Sequence, residues 1–447
     1  MNTNKVVDVV TVIGACYGDE GKGALTDNLC SGNGEVCVRF NGGANAGHTI
    51  VVNGMKYYTH LLPSGIVFED IKHNILGNGV VIHLPSMMDE INDLKKKGIV
   101  DIEKRLFISS DAFVTLDIHC IIDMINNKSI GTTCKGVGPT YGDKVLRRGI
   151  KIDDLVKLSE QQIIDKIKII YQAHHNNLVN YNNSLPLNEN KIDIYSLLDK
   201  DIKFIFSIIE YIKPMVCNII DTMADHFKNK RNIIVEGANA TMLDINKGTY
   251  PMVTSSDCTV GGILSGGGMN FSQLRKSNFE IVGVVKAYIT RVGGGLLPTE
   301  QDNEIGEKIQ QIGGEIGVTT GRKRRCGWFD IPQLIYAHKV NGFTCLNLTK
   351  CDVLSFLDTI KVGIKYVDKN TKQEFKHYPT SELELSNVEV IYDELPGWKG
   401  IDISNCKTYD ELPQNLKNYV KYIEKHVDVG IKYINVGPNR HQILTRY

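Results

Sequence analysis

The stretch Gly14-Ala-Cys-Tyr-Gly-Asp-Glu-Gly-Lys-Gly23 follows an apolar, strand-like run and decides the class of fold. Its four glycines allow a tight turn that exposes backbone N–H groups to an anion. Lys22 is long enough to reach terminal phosphates, and Asp19 lies in the same turn as a metal ligand or a base. A standard phosphate loop would need glycine at position 16 and serine or threonine at position 23, where this chain has cysteine and glycine. The stretch predicts a nucleoside-triphosphate site with a carboxylate inside its phosphate loop; the alternative is an ordinary glycine-rich turn.

Composition narrows the class of protein. The 447 residues suffice for one large α/β domain or two to three smaller ones. Lysine plus arginine equals aspartate plus glutamate at 51 each, so we expect no nucleic-acid partner. No run of eighteen apolar residues occurs, and charged residues follow the first apolar run, so we expect neither a membrane span nor a signal peptide. Eleven cysteines without a C-x-x-C pair predict reduced thiols and a cytoplasmic location.

Hydrophobic periodicity predicts alternating strands and helices. The predicted strands cover residues 6–13, 35–39, 73–76, 232–235, 280–285, 343–348, 360–366 and 431–436. The predicted helices cover residues 22–29, 84–97, 160–174, 202–228, 306–312 and 412–425. Strands separated by helices indicate an α/β fold, with a large central, mostly parallel sheet flanked by helices and ligand loops at strand ends.

Residues 151–231 are rich in isoleucine, lysine and asparagine and carry no chemical motif. We interpret them as a mainly helical insertion within a single domain that spans residues 1–447. His174 and His175 in this segment are interpreted as a solvated helix end rather than a metal site, because no other clustered ligand is visible.

Two further loops follow predicted strands. Arg39-Phe-Asn-Gly-Gly-Ala-Asn-Ala-Gly-His-Thr49 brings its backbone close to a ligand, and it offers the Asn45 amide and the His48 imidazole, which can move a proton near neutral pH. Thr349-Lys-Cys-Asp352 is typical of guanine recognition, in which the carboxylate accepts from N1–H and the 2-amino group. The alternative for His48 is a structural histidine.

Three polar segments suit anions. Val318-Thr-Thr-Gly-Arg-Lys-Arg-Arg325 can bind carboxylates or phosphates, with a solvated basic loop as the alternative. The segment at 131–139, with Lys144, Arg147 and Arg148 after it, suits a phosphomonoester. Residues 235–244 and 248–256 offer an amide and hydroxyls for a base and a phosphate. A plain polar loop remains an alternative for the last two segments.

Taken together and in order, these motifs resemble the adenylosuccinate synthetase family over essentially the whole chain, from Gly14 to Arg440. The resemblance implies a phosphate-loop-like nucleotide-binding fold and GTP-dependent condensation of IMP with L-aspartate, a step of purine biosynthesis that requires Mg²⁺. The products are adenylosuccinate, GDP and phosphate, formed through a 6-phosphoryl-IMP intermediate. A homodimer is also implied.

The matching positions imply a set of site residues. Asp19 would be the base at N1 of IMP and a magnesium ligand together with the Gly47 carbonyl, His48 the acid at the 6-oxygen, and Lys22 a counter-charge to the transferred phosphoryl group. The implied GTP site comprises Gly18, Asp19, Glu20, Gly21, Lys22, Gly23, Ala24, Gly47, His48, Thr49, Arg324, Lys350, Cys351, Asp352, Asn435, Val436 and Gly437. The implied IMP site comprises Asp19, Lys22, Asn45, His48, Thr133, Asn239, Thr254 and Arg322, with Arg147 given to the partner subunit's IMP. The implied aspartate site comprises Val318, Thr319, Thr320, Gly321, Arg322, Lys323 and Arg324.

Two rival functions follow from the same residues. A related ligase that condenses aspartate with a guanine nucleotide lacks the catalytic aspartate in its phosphate loop, whereas Asp19 is present here. A GTP-controlled binding module would explain Thr349-Lys-Cys-Asp352, but it needs neither His48 nor the arginine-rich loop. The chain also departs from the usual family pattern at Cys16-Tyr17, where Gln-Trp is common, and at Ala24, where lysine is usual.

Overall fold

The structure, a computed structural model, describes residues 6–32, 34–52, 55–126, 130–186, 189–317 and 321–447. Its strands are β1 (Asp8–Gly14), β2 (Val36–Arg39), β3 (His48–Val52), β4 (Met55–Thr59), β5 (His73–Leu76), β6 (Val81–His83), β7 (Leu106–Ser109), β8 (Phe113–Thr115), β9 (Val216–Cys217), β10 (Ile233–Glu236), β11 (Asn278–Lys286), β12 (Ile289–Arg291), β13 (Arg325–Gly327), β14 (Phe329–Asp330), β15 (Cys345–Thr349), β16 (Thr359–Asp368), β17 (Val388–Pro396), β18 (Ile431–Asn435) and β19 (Ile443–Thr445).

Helices pack around these strands. They are α1 (Lys22–Cys30), α2 (Leu84–Lys96), α3 (Ile102–Arg105), α4 (Asp117–Asn126), α5 (Val137–Val145), α6 (Ile152–Lys157), α7 (Glu160–Ser184), α8 (Ile194–Ile212), α9 (Ile219–Lys228), α10 (Gly261–Gly266), α11 (Phe271–Arg275), α12 (Glu304–Gly313), α13 (Ile331–Asn341), α14 (Glu382–Ser386) and α15 (Gln414–Val427). Within the described ranges, none of these helices is long and apolar enough to cross a membrane.

Ten strands form the central sheet, in the order β19-β18-β15-β11-β1-β10-β2-β5-β7-β9. Every neighbouring pair is parallel except β18 and β19, which are antiparallel. The middle strands are apolar on both faces, as Val9, Val12 and Ile13 in β1 illustrate with no exposed surface, because helices cover both sides of a parallel sheet. The predicted fold class, a large mostly parallel sheet flanked by helices, is confirmed.

The predicted strand at 360–366 exists as β16, but it belongs to a separate three-stranded sheet with β14 and β17. The predicted helix at 202–228 is wrong as a single element. It is two helices, α8 and α9, separated by a 3₁₀ turn at Lys213–Met215 and by β9. Pro214 explains the break, since proline has no N–H to donate and clashes with the preceding turn.

The segment 151–231 contains α6, α7, α8 and α9 and also the edge strand β9. Its apolar side chains, such as Ile163, Ile170 and Ile205, belong to the same buried cluster as Leu84 and Ile118 from the preceding region. The assignment of the whole chain to one domain stays a prediction.

Candidate active site

A cleft of about 540 Å³ lies at the carboxyl ends of β1, β2, β10, β15 and β18. Loops that leave neighbouring parallel strands meet at this edge of an α/β sheet. The cleft collects most of the sequence-predicted positions, namely Gly18, Asp19, Gly21, Lys22, Gly23, Ala24, Asn45, Gly47, His48, Thr49, Thr133, Asn239, Arg322, Arg324, Lys350, Asp352, Asn435 and Gly437.

A second cleft, of about 680 Å³, lies at the opposite ends of the same strands, where β1, β10, β11, β15 and β18 begin. None of the predicted site residues that the structure describes lines it. Its polar groups bind one another: Lys432 donates to Glu280 at 2.5 Å, and the Asn278 amide donates to Asp8 at 2.8 Å. Its size therefore does not make it the better candidate.

The phosphate loop is held by Glu20, whose side chain is 2% exposed and does not line the cleft. Its carboxylate accepts from the N–H groups of Cys16 and Gly18 at 3.2 and 2.7 Å, and from Lys22 Nζ at 2.7 Å. Gly18 and Gly21 have φ values of 89° and 94°, which favour glycine. The lysine is thus pre-positioned by an ion pair within its own loop.

Tyr17, where the family usually has tryptophan, is buried beside the loop. Its ring lies 4.4 Å from the Arg291 guanidinium, and its hydroxyl lies 3.0 Å from that of Tyr378. A buried tyrosine needs such a partner for its O–H. The substitution is therefore accommodated by packing behind the loop.

Asp19 is bound by a network that sequence reasoning missed. Arg324 Nε donates to Asp19 Oδ2 at 2.7 Å, and its Nη1 donates to the fully buried Glu315 at 2.7 Å. Lys286 and Tyr288 also donate to Glu315. Burial alone would raise the pKa of Glu315, but the Lys286 and Arg324 charges outweigh it and lower that pKa to about 2. Glu315 therefore stays ionised and holds Arg324 against Asp19.

His48 is oriented by two residues that were not predicted. Its Nδ1 lies 3.1 Å from Ser64 Oγ and 3.6 Å from Glu236 Oε2. Glu236 also accepts from the Ser64 N–H at 3.0 Å. Burial raises the pKa of Glu236, yet His48 and Arg39 together bring that pKa below its ordinary value. Glu236 could have been predicted as a site residue, because it lies in the 235–244 motif, whereas Ser64 lies in no motif.

The loop of residues 39–49, which follows β2, is fixed to the loop that follows β10. The Asn41 amide group donates to the Ala238 carbonyl at 3.1 Å and accepts from the Ala238 N–H at 2.8 Å. The Asn45 amide donates to Asn239 Oδ1 at 3.3 Å. Two positions predicted for the same ligand are thus in contact, although 194 residues separate them.

The Thr349–Asp352 element is bound to the phosphate loop. Thr349 Oγ1 donates to the Glu20 carbonyl at 2.6 Å, and Lys350 Nζ donates to the Gly313 carbonyl at 2.9 Å. Asn435 Oδ1 is buried without a hydrogen-bond partner among the described residues, which suits a ligand donor. Cys351 and Val436 are fully buried and do not line the cleft, although their neighbours Lys350, Asp352, Asn435 and Gly437 do.

The arginine-rich loop is described from Gly321 onward; Val318, Thr319 and Thr320 lie outside the described residues. Arg322 Nη2 donates to the Gly131 carbonyl at 2.7 Å, which brings this loop to the segment of Thr133. Lys323 is exposed, whereas Arg322 and Arg324 line the cleft. The alternative of a solvated basic loop therefore fits Lys323 alone of these three.

Seven predicted and described positions do not line the cleft: Glu20, Gly321, Lys323, Cys351 and Val436, which lie in loops that do reach it, and Thr254 and Arg147. Thr254 is half-buried, and its N–H donates to the carbonyl of Leu243, a cleft residue, at 2.8 Å. Arg147 is exposed just beyond α5. The interpretation of His174 as a solvated helix end is wrong: it is buried in the middle of α7, because α7 packs on α4.

Comparisons with known proteins agree with one another. The family model for adenylosuccinate synthetase matches residues 11–444. The Meyerozyma guilliermondii adenylosuccinate synthetase is 46% identical over 442 residues, covering 97% of this chain and 99% of that one. The Drosophila mojavensis adenylosuccinate synthetase is 43% identical, covering 98% and 94% of the two chains.

Solved structures give the same result. The fully ligated adenylosuccinate synthetase from Plasmodium falciparum superposes with a TM-score of 0.87 at 39% identity, covering 99% of this chain and 100% of that one. The cyanophage S-2L succinoaminodeoxyadenylate synthetase bound to dGMP and dATP has a TM-score of 0.60 at 18% identity, covering 98% and 95% of the two chains, and shares the fold. With its family model matched almost end to end and relatives this similar, the chain belongs to the adenylosuccinate synthetase family, the GTP-dependent ligases that join IMP and L-aspartate into adenylosuccinate.

Proposed function

We propose that this ligation proceeds in two steps within the described cleft. The 6-oxygen of IMP attacks the γ-phosphate of GTP, which breaks the bond to the β–γ bridging oxygen and releases GDP. The aspartate amine then displaces phosphate from C6 of the resulting 6-phosphoryl-IMP. The 6-oxygen is a poor leaving group, so its phosphorylation makes the displacement feasible. The single observation that carries the proposal is that Asp19 and His48, from two separate strand-end loops, line one cleft with the guanine element.

In this proposal Asp19 takes the N1 proton of IMP, which increases the nucleophilicity of the 6-oxygen. His48 donates a hydrogen bond to the 6-oxygen, with its ring fixed by Ser64 and Glu236. Lys22 offsets the charge on the transferred phosphoryl group. For that role it has to leave or share its ion pair with Glu20.

GTP lies across two adjoining parts of the cleft. Its phosphates bind the N–H groups of the phosphate loop and of residues 47–49, and its base binds Asp352, the Lys350 stem and residues 435–437. The hydrogen bond between Thr349 and the Glu20 carbonyl supports this, because it fixes the distance between the two parts. A carboxylate that accepts from N1–H and the 2-amino group selects guanine over adenine.

IMP and aspartate occupy the remaining side. Asn45, Thr133, Asn239, Thr254 and Arg322 would bind IMP. The contacts Asn45–Asn239 and Arg322–Gly131 support this, since they gather loops that are distant in sequence. The loop of residues 318–324 would bind the two carboxylates of aspartate, with Arg322 and Arg324 as its cations.

The donors fit a magnesium ion. The Asp19 side chain is 37% exposed and lines the same cleft as Gly47, and carboxylate and carbonyl oxygens are the ligands that Mg²⁺ prefers. Arg324 now binds Asp19 Oδ2 and thereby fixes the direction of the carboxylate. A magnesium ion held by Asp19 and Gly47 would neutralise charge on the GTP phosphates.

We also propose a homodimer in which Arg147 binds the IMP phosphate of the other subunit. Arg147 is exposed and lies outside its own chain's cleft, as a residue that serves a partner would. Val145 and Leu146 beside it are 78% and 61% exposed, so apolar side chains flank the arginine, as an interface with a second subunit would use. The cytoplasm is the proposed location, supported by eleven cysteines that are all free.

A coupled assay tests the proposed function. Adenylosuccinate and phosphate release are measured with IMP, aspartate, GTP and Mg²⁺ together and with each omitted in turn. We expect product only with all four. GTP turnover that ignores IMP and aspartate would contradict the ligase proposal, and preference for dGMP over IMP would indicate the guanine-nucleotide ligase instead.

A further inference from the structure

A buried carboxylate lies directly before the segment that carries Arg147. Asp143 Oδ2 lies 3.1 Å from His119 Nε2 and 3.0 Å from His174 Nε2, while Asp143 Oδ1 accepts from Arg148 at 2.7 Å. The side chains of His119, Asp143 and His174 are 0%, 2% and 8% exposed. Three helices, α4, α5 and α7, therefore meet at one carboxylate.

The same three residues have the composition of a metal site, but their hydrogen bonds contradict that interpretation. The Leu116 N–H donates to His119 Nδ1 at 2.9 Å, so Nδ1 carries the lone pair and the proton is on Nε2. That Nε2–H points at Asp143 and has no lone pair for a metal ion. Burial lowers the pKa of His119 further than Asp143 raises it, consistent with a neutral ring that donates.

The main chain of Asp143 closes the turn around Arg147. Its carbonyl accepts from the N–H groups of Arg148 and Gly149 at 3.0 and 3.2 Å, while the Lys144 carbonyl accepts from the Arg147 N–H at 3.1 Å. This is the helix ending in which the residue outside the last turn is left-handed and usually glycine. Arg147 occupies that position with φ of 62°, a left-handed conformation that is unfavourable for an arginine.

Asp143 therefore holds the strained turn in two ways, through its backbone carbonyl and through its side-chain carboxylate. Opposing donors fix the Asp143 carboxylate: two imidazoles on one oxygen and the Arg148 guanidinium on the other. These three hydrogen bonds outweigh burial and bring the pKa of Asp143 well below its ordinary value, so the carboxylate stays ionised. Because His174 lies in α7, the helical insertion takes part in shaping this turn.

We propose that Asp143, held by His119 and His174, is a positioning residue that fixes the 144–148 turn so that Arg147 reaches the IMP phosphate of the partner subunit. This inference rests on the proposed role of Arg147. It assigns to the insertion helix α7 an effect on IMP binding through a residue that touches no substrate. Loss of a donor on the carboxylate should loosen the turn and weaken IMP binding without changing the chemical step.

His174 provides the sharpest test. The His174→Phe variant keeps an aromatic ring but removes the donor, whereas the His174→Gln variant keeps an N–H that can reach Asp143. We expect His174→Phe to raise the KM for IMP about fivefold or more, a typical effect of losing a hydrogen bond to a charged group. The kcat and the KM for GTP should change less than about twofold. His174→Gln should restore the KM, and His175→Phe, at the exposed neighbour, should leave it unchanged.

A double-mutant cycle with Arg147→Leu separates positioning from a general structural effect. If Asp143 acts through Arg147, His174→Phe adds no further increase in the KM for IMP to the Arg147→Leu variant. Should His174→Phe fail to fold, Arg148→Leu removes the opposite donor at a side chain that is 30% exposed, and the same cycle applies.

The outcomes distinguish the two proposals. An unchanged KM for IMP in Arg147→Leu would show that the proposed role of Arg147 is wrong, and the positioning role with it. If Arg147→Leu raises the KM for IMP, the positioning role is wrong in either of two cases. In the first, His174→Phe (or Arg148→Leu in its place) does not change that KM; in the second, it raises that KM by the same factor in wild type and in the Arg147→Leu variant. A parallel loss of kcat and of affinity for all substrates would equally overturn it.

Discussion

The two sides of the cleft are built differently. On the GTP side, the phosphate loop and the guanine element each continue a strand of the central sheet. The Lys22–Glu20 ion pair at 2.7 Å holds the phosphate loop, and the Thr349–Glu20 hydrogen bond at 2.6 Å connects the loop to the guanine element. On the IMP side, Asn45 and Asn239 also follow strands of the sheet, but Thr133 and Arg322 come from loops outside it, which the Arg322–Gly131 hydrogen bond at 2.7 Å joins. Arg147 lies outside the cleft of its own chain.

This difference indicates what positions the residues on each side of the cleft. Parallel strands fix the GTP side, because the carboxyl ends of neighbouring strands lie at set distances. The IMP side depends on side-chain contacts between loops and, in our proposal, on a second subunit. Changes on the GTP side should therefore affect chemistry or nucleotide choice, and changes on the IMP side should affect affinity.

The largest effect is expected for Asp19→Asn. Loss of general-base action alone typically costs about 10²–10⁴-fold in rate, and a weaker magnesium site would add to this. The fold should persist, because Asp19 is partly exposed and the loop is held by Glu20. Steady-state synthesis and thermal unfolding measure the two effects, with Asp302→Asn at an exposed aspartate as control. A variant that keeps more than about a tenth of the wild-type rate would contradict the base assignment.

Sequence alone identifies the loops of the proposed GTP side for a physical reason. Glycine spacing and Lys22 report a local backbone conformation, and Thr349-Lys-Cys-Asp352 is likewise contiguous, so both motifs are readable without tertiary structure. The apolar runs before them identify strands, and parallel strands bring their ends together. Pro214 in the sequence also indicates a break in the predicted helix at 202–228, but the apolar periodicity on both sides of it favoured one continuous helix.

A second prediction concerns Glu315, which joins the GTP side to the arginine-rich loop. Its pKa falls from an ordinary value of 4.5 to about 2 in the folded chain. A lowered pKa means that the ionised form stabilises the fold at neutral pH and that this stabilisation, about 3 kcal/mol, is lost as the pH falls from about 5 towards 2. Wild type should therefore lose thermal stability on acidification more steeply than Glu315→Gln.

Thermal unfolding between about pH 6 and pH 3.5 measures this difference. At pH 6 the Glu315→Gln variant should be clearly less stable, because Lys286 then stays buried without its counter-charge. Glu307→Gln, at an exposed glutamate of α12, serves as the matched control and should follow wild type. Parallel pH profiles for wild type and Glu315→Gln would show that folding does not lower the pKa of Glu315.

The parts that sequence did not predict are mostly buried polar contacts. Glu315 and Ser64 lie in no motif, and their roles arise only when distant segments pack together. His174 illustrates the same point: its neighbour His175 is exposed, and only the packing of α7 decides which of the two is buried. Contacts of this kind depend on tertiary structure, which neither spacing nor composition encodes.

The third prediction tests the shared site. A charge-assisted contact to a phosphate contributes roughly 1.5–3 kcal/mol, so Arg147→Leu should raise the KM for IMP about tenfold or more and leave the KM for aspartate nearly unchanged. Mixing Arg147→Leu chains with His48→Asn chains gives hybrid dimers that have both lesions in one site and none in the other. If subunits exchange statistically, activity should recover to about a quarter of wild type. No recovery despite demonstrated exchange would place Arg147 in its own chain's site.

The smallest effect is expected for Asp352→Asn, which changes nucleotide choice rather than turnover. Asparagine replaces a charge-assisted hydrogen bond to guanine by a neutral one, a loss of about 1 kcal/mol or about fivefold in the KM for GTP. Xanthine has a carbonyl where guanine has its 2-amino group, and the new amide can donate to it. The ratio of kcat/KM for GTP to that for XTP should therefore fall. Asp358→Asn, at an exposed aspartate paired with Lys399, is the control and should keep the wild-type ratio. If Asp352→Asn also keeps the wild-type ratio, Asp352 does not recognise the base. The guanine element would then be placed by its strand end without selecting the nucleotide, and the proposed base site on the GTP side would be wrong.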